Sequence, residues 1–209
     1  MTVQPGLRER KKQQTRQRII DAALDLFEER GFDRTPVADI ARAADVSEAT
    51  VFNYFPTKED LVYDGMETFE ARLVDAVRER PTGTTALAAF RDYVLQPRGA
   101  LTGDDPAMIG RVARIARIIT GSAALRAREQ QIVDRATDQL AEVLAADSRA
   151  RAGDIRPWVV ANALMGVNRQ ITRAIHRGAV EGRSGPSIAR SVLQQGRRAF
   201  DLLEQGVDA

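Results

Sequence analysis

Between Thr35 and Leu61 the chain reads TPVADIARAADVSEATVFNYFPTKEDL, and the groups able to do chemistry there are hydroxyls, an amide and one ammonium. Thr50, Tyr54 and Lys58 can donate to phosphate oxygens, and Thr57 and Lys58 fall where a helix N-terminus also offers free N–H groups to an anion. Asn53 carries an amide that can pair with N6 and N7 of adenine in one bidentate contact. Ala49 and Phe52 offer apolar surface to a thymine methyl. Thr35, Ser47 and Arg42 complete the set expected to face a duplex. These residue types suit the recognition of DNA, phosphates for position and base edges for sequence.

Two short helices and a turn must hold those groups in place. Thr35 reads as an N-cap and Pro36 suits the first helical position, where a missing N–H costs nothing. Val37, Ile40, Ala41 and Ala44 then form one apolar face. Asp45-Val46-Ser47 is the turn, and Asp tolerates the left-handed backbone that a sharp turn asks for. Ser47 caps the second helix, with Glu48 at its positive end. Val51 and Phe55, four apart, face inward, and Pro56 stops the helix. Thr57-Lys58-Glu59-Asp60 has the form of a capping box, with Asp where Glu is usual, and it opens a third helix. The spacing predicts a helix-turn-helix over residues 36–55.

The segment from about residue 15 to 63 resembles the tetracycline-repressor (TetR/AcrR) family of bacterial transcription regulators. The resemblance rests on a first helix ending in LFEERGFDRT, then V-x-x-I-A-x-x-A-x-V-S-x-x-T-V-F-N-Y-F-P-T-K-E-D-L. Two positions depart from the family pattern. Asp45 stands where Gly is usual, and Phe52 where Tyr is common, which removes one phenol hydroxyl; Tyr54 keeps one nearby. Carried onto this chain, the pattern points to Thr50, Tyr54 and Lys58 as phosphate contacts. It implies a three-helix reading head at 15–61 and a helical ligand-binding and dimerisation domain at 62–209. A bound ligand would then shift two reading heads relative to the operator.

Composition narrows the alternatives. The 209 residues are 44% hydrophobic and 29% charged, as in a globular protein. There is no cysteine and His176 is the single histidine, so no thiolate site, histidine metal cluster or Ser/His/Asp triad is expected, and no cofactor. No apolar run reaches membrane-spanning length and no signal core follows Met1, so a cytoplasmic protein is expected. The net charge of +2 says little, but its distribution says more. Residues 8–18 carry six basic side chains against Glu9 alone, whereas residues 19–60 carry four against ten acids. Residues 1–14 are expected to form a flexible basic arm that reaches phosphates or the minor groove; the plainer reading is a solvated tail.

The rest of the chain reads as helices separated by Pro/Gly breaks, giving an all-α protein of about nine helices. Leu164, Val167, Ile171 and Ile175 stripe one terminal helix; Ile188, Val192, Ala199 and Leu203 stripe the other. Gly166 and Gly196 permit close approach. Both stripes can cover their own core, or pair with a second copy in a four-helix bundle. A homodimer would set two recognition helices about 34–36 Å apart on a roughly palindromic operator. Tyr93, Met108, Trp158, Asn162, Met165, Asn168 and Arg169 are the candidates for the pocket of a small-molecule effector. Two other classes stay open: a helical ligand-binding or interaction protein whose head no longer reads a defined operator, and, less in keeping with the residues present, an enzyme.

Overall fold

The computed structural model describes residues 6–206, and the described residues are all-helical, with no strand. Nine α-helices follow in order: α1 (Leu7–Arg30), α2 (Val37–Ala43), α3 (Glu48–Tyr54), α4 (Asp60–Arg78), α5 (Ala86–Leu95), α6 (Pro106–Gly121), α7 (Ala123–Ser148), α8 (Arg156–Val180) and α9 (Gly185–Gln205). A single 3-10 turn, Gly99–Leu101, lies between α5 and α6. The chain divides into two compact units. One gathers the chain up to Gly65 with Arg117–Arg128; the other gathers Met66–Ala116 and the chain from Glu129 onward.

The start of α1 departs from expectation. The basic residues Arg8 to Lys12 lie on its first turns instead of on a flexible arm, because LRERKKQQ holds no Gly or Pro and is made of good helix formers. Residues 1–5 of the expected arm lie outside the described residues. Gly31 ends α1 at φ +82°, where its N–H donates to the Phe27 carbonyl. Below it Ile19, Ala23, Leu24 and Phe27 meet Phe32, Ile40, Val51, Phe55 and Leu61 in the core of the first unit. The rings of Phe27 and Phe32 are 4.9 Å apart. Burying each such ring contributes about 1.5–3 kcal/mol.

The first unit also extends beyond the segment expected from sequence. The junction of α6 and α7 packs with it through four polar contacts. Tyr63 Oη donates to the Leu125 carbonyl at 2.9 Å, and Ser122 Oγ donates to the Asp33 carboxylate at 2.9 Å. Arg117 pairs with Glu28 at 3.0 Å and Arg128 with Asp60 at 3.3 Å. Ile118, Ile119 and Leu125 are buried beside them. These partners are 62 to 89 residues apart in sequence, beyond the reach of any periodicity.

The second unit is built on α8 and α9, which pack against each other and against α5. Leu73, Val77, Phe90, Leu140, Leu164 and Phe200 are fully buried in its core. Phe90 and Phe200 meet edge to face with centroids 6.0 Å apart. Gly196 lets this packing be close, since a Cβ at that position would press on the end of the Leu95 side chain and make it shift. Gly166, by contrast, has open space in front of it, so it plays no part in this packing.

Candidate nucleic-acid interface and effector region

The helix-turn-helix forms from the chemistry its sequence carries. Asp45 holds φ +51°, the left-handed turn residue, and its short polar side chain lowers the cost of that backbone. Ser47 caps α3 by accepting the Thr50 N–H at 3.1 Å, and the two hydroxyls lie 2.8 Å apart. At the start of α4, Asp60 accepts the Thr57 N–H at 2.8 Å, which is half of a capping box. Val51 and Phe55 are buried, so one face of α3 is fixed against the core. The opposite face is thereby turned to solvent: Ala49, Phe52 and Asn53 are exposed, and Thr50 and Tyr54 are half-buried.

Two of the sequence candidates, Thr35 and Lys58, sit differently from the reading above. Thr35 is fully buried and its Oγ1 donates to the Gly31 carbonyl at 2.8 Å, so it locks the α1–α2 connection and has no surface to offer DNA. The cap of α2 is Pro36, one residue later than expected. Lys58 turns inward. Its Nζ donates to the Phe32 carbonyl at 2.6 Å and stands 4.3 Å from the centre of the Phe32 ring. Burial holds its pKa below the ordinary lysine value, with Asp33 and Glu59 pulling the other way. The ammonium therefore ties the α3–α4 turn to the α1–α2 loop. Arg42 is exposed and pairs with Asp39 at 3.0 Å.

Basic charge comes instead from α1. Arg8, Lys11, Lys12 and Thr15, with Glu9 as the one acid, line a groove of about 720 Å³ that Tyr54 closes from α3. Arg16 lies with its guanidinium 4.5 Å from the Phe55 ring, one turn further along. The ten acids of the segment after residue 18 do not oppose this groove as a block, because several are engaged elsewhere. Asp39 pairs with Arg30 and Arg42, Glu28 with Arg117, and Asp60 with Arg128. The head thus offers a short helix with an exposed amide and apolar side chains, flanked by a basic helix start. That arrangement matches a helix-turn-helix whose second helix enters a major groove.

Comparison with known proteins agrees with this geometry. Residues 19–63 match the family described as bacterial regulatory proteins, tetR family. The chain is 30% identical over 175 residues to the HTH-type transcriptional regulator TcmR of Streptomyces glaucescens, covering 81% of this chain and 76% of that one. It is 57% identical over 47 residues to the HTH-type transcriptional regulator LuxR of Vibrio harveyi, 22% of this chain and 23% of that one. The fold is similar to that of native NalD, the secondary repressor of the MexAB-OprM multidrug efflux pump in Pseudomonas aeruginosa. That likeness has a TM-score of 0.54 at 21% identity and covers 90% of this chain and 97% of that one. The chain belongs to the TetR family of DNA-binding transcriptional regulators.

The seven effector-pocket candidates do not converge on one cavity. Met165 and Asn168 lie inside the second unit, whereas Met108 and Trp158 are 44% and 54% exposed. Asn162 donates to the Trp158 carbonyl within α8. Tyr93 is half-buried, 5.4 Å from the Phe69 ring, with the Arg98 guanidinium 4.0 Å from its own ring centre. Burial raises the pKa of Glu129, with Arg173 and Arg169 pulling the other way. Burial lowers that of His176.

A residue missed in the sequence stands out in the second unit. Glu70 is only 4% exposed; its Oε1 accepts from Asn168 Nδ2 at 3.0 Å, and its Oε2 has no hydrogen-bond partner. Burial raises its pKa to about 7, against the donation from Asn168. The signal was present, because Glu70 interrupts the apolar stripe Met66, Phe69, Leu73, Val77 at a position that faces inward.

The stripes expected at a dimer interface are partly consumed at home. Leu164, Ile171, Ile188 and Val192 are buried within their own chain, since α8 and α9 pack on each other and on α5. Val167, Ile175, Ala199 and Leu203 stay partly open. A groove of about 350 Å³ lies along α8 and α9, and both open and buried stripe positions line it, Val167 and Ala199 together with Ile171 and Val192, beside Gly166 and Gln195.

Proposed function

We propose that this chain is a ligand-relieved repressor that binds a roughly palindromic operator as a homodimer in the cytoplasm. One observation carries the reading: α3 is fixed by Val51 and Phe55 while Ala49, Phe52 and Asn53 point to solvent on its other face. Asn53 reads an adenine, and Ala49 or Phe52 meets a thymine methyl. Thr50 and Tyr54 from α3 and Lys11 and Lys12 from α1 hold the phosphates. Lys58 and Ser47 act by fixing the backbone around α3, and Arg42 contributes charge at the edge.

The small, partly open residues along α8 and α9 support a four-helix dimer interface centred on Gly166, Val167 and Ala199, in a groove that Ile171 and Val192 also line. The effector binds within the second unit. It shifts the heads only in so far as it binds the DNA-competent and the released arrangements unequally.

Transcription reconstituted from a promoter that overlaps a selected binding site tests the sign of regulation. Repression by ligand-free dimer is expected, and stimulation would contradict it. Light scattering on the full chain tests the stoichiometry. A monomer at micromolar concentration would contradict the dimer.

A further inference from the structure

Buried polar groups in native proteins are almost always hydrogen-bonded, and leaving one unmade is costly, more so for a group able to ionise. Glu70 breaks that rule on one side only. Its Oε1 is held by Asn168, whereas Oε2 faces a buried environment with no donor. One turn away on α4 lie Met66, Leu73 and Val74, and one turn away from Asn168 on α8 lie Leu164 and Met165. The carboxyl is thus oriented by one amide, and the core-packed positions one turn along each helix are apolar. Two of these are methionines, whose unbranched thioethers repack readily around a guest.

We infer that Glu70, held by Asn168, is the polar anchor of an effector site for an amphiphile bearing a primary ammonium. The inference rests on the reading of the second unit as effector-binding and names the effector's chemical class. The ammonium donates to Oε2, and its apolar tail lies along the methionine-lined faces of α4 and α8. A carboxylate or phosphate head group in the same place meets a like charge in low dielectric and is rejected. A neutral alcohol supplies a hydrogen bond without the charge and binds between the two.

Calorimetric titration of the full chain at pH 8 with octylamine, octanol and octanoate, which share one tail, tests this directly. The wild type is expected to bind octylammonium most tightly, octanol less and octanoate least, with about tenfold or more between the first and second. Glu70→Gln keeps an oxygen for Asn168 and is expected to lower octylammonium affinity by about tenfold or more while leaving octanol unchanged. Glu70→Met keeps the volume and is expected to erase the head-group preference as well. A wild type that binds octanoate as tightly as octylammonium, or that binds none of the three, overturns the inference. So does a head-group preference that survives in both variants.

Operator binding measured on the same samples separates the two levels. Intact sequence-specific DNA binding with no ammonium preference removes this inference alone. An ammonium preference without sequence-specific DNA binding removes the proposed function and leaves the site.

Discussion

Lys58 and Glu70 are both ionisable side chains drawn inside the protein, one in each unit, and they are treated oppositely. Lys58 reaches a carbonyl and an aromatic face, and its inward turn knits the reading head together. Glu70 keeps one oxygen without a partner among apolar side chains. In the head, the Thr35 hydroxyl, the Ser47 hydroxyl, the Thr57 N–H and the Lys58 ammonium each make a hydrogen bond that fixes a turn or a helix end. On the proposed reading, a ligand bound in the second unit acts only by favouring one of its arrangements over another.

The contrast can be broken from either side. The largest effect is expected in the head core. Phe27→Ala removes a ring that Phe32 and Lys58 both use, and is expected to cost about 3–5 kcal/mol of stability in chemical denaturation. Loss of operator binding should follow. An effect below about 1 kcal/mol would mean the head core is not organised around that ring.

Next, Asn53→Ala is expected to weaken binding by about 1–3 kcal/mol and to relax preference at one base pair of each half-site. Equal loss on all sequences would place Asn53 on phosphate instead.

For the second unit, the pH dependence follows from the raised pKa of Glu70. The folded carboxyl binds its proton up to about 7, whereas the unfolded one releases it near 4.5. Its contribution to stability is therefore present at low pH and is lost as pH rises between those values. His176, lowered by burial, slopes the other way as pH falls below its ordinary value. The difference between wild type and Glu70→Gln isolates the first slope. It is expected to reach about 1–3 kcal/mol, one pKa unit being worth about 1.4 kcal/mol. A difference that does not change between pH 5 and 8 would contradict a buried, weakly compensated carboxyl.

The smallest effects belong to exposed charges. Lys12→Ala should reduce the salt dependence of DNA binding by about one phosphate's worth without altering sequence preference. Arg117→Ala, an exposed pair with Glu28, should change stability by less than about 1 kcal/mol.

What the sequence made legible follows the range of the interactions involved. Ser47 as a cap, Asp45 as the turn residue, and Val51 and Phe55 as the inward face all depend on neighbours within a few positions, and each is found where the spacing placed it. Thr35 and Lys58 were misread because their hydroxyl and ammonium are claimed by carbonyls outside the motif's own helices. The membership of Arg117–Arg128 in the head depends on Tyr63, Asp33 and Glu28, far away in sequence. Stripes on α8 and α9 showed which residues are apolar but not which side meets its own core and which stays open. Glu70 was visible as an acid in an apolar stripe, yet only the placement of Asn168 opposite it gave that anomaly a geometry.

The most direct test of the central claim is selection of randomised and genomic DNA by the ligand-free full chain at about 150 mM salt, where nonspecific phosphate binding is weak. A dimer that reads DNA through α3 should enrich a near-palindrome with half-sites about one helical turn apart, and Asn53→Ala should relax the same position in both halves. Retention of DNA with no enriched sequence, or an enriched site indifferent to Asn53, would contradict it.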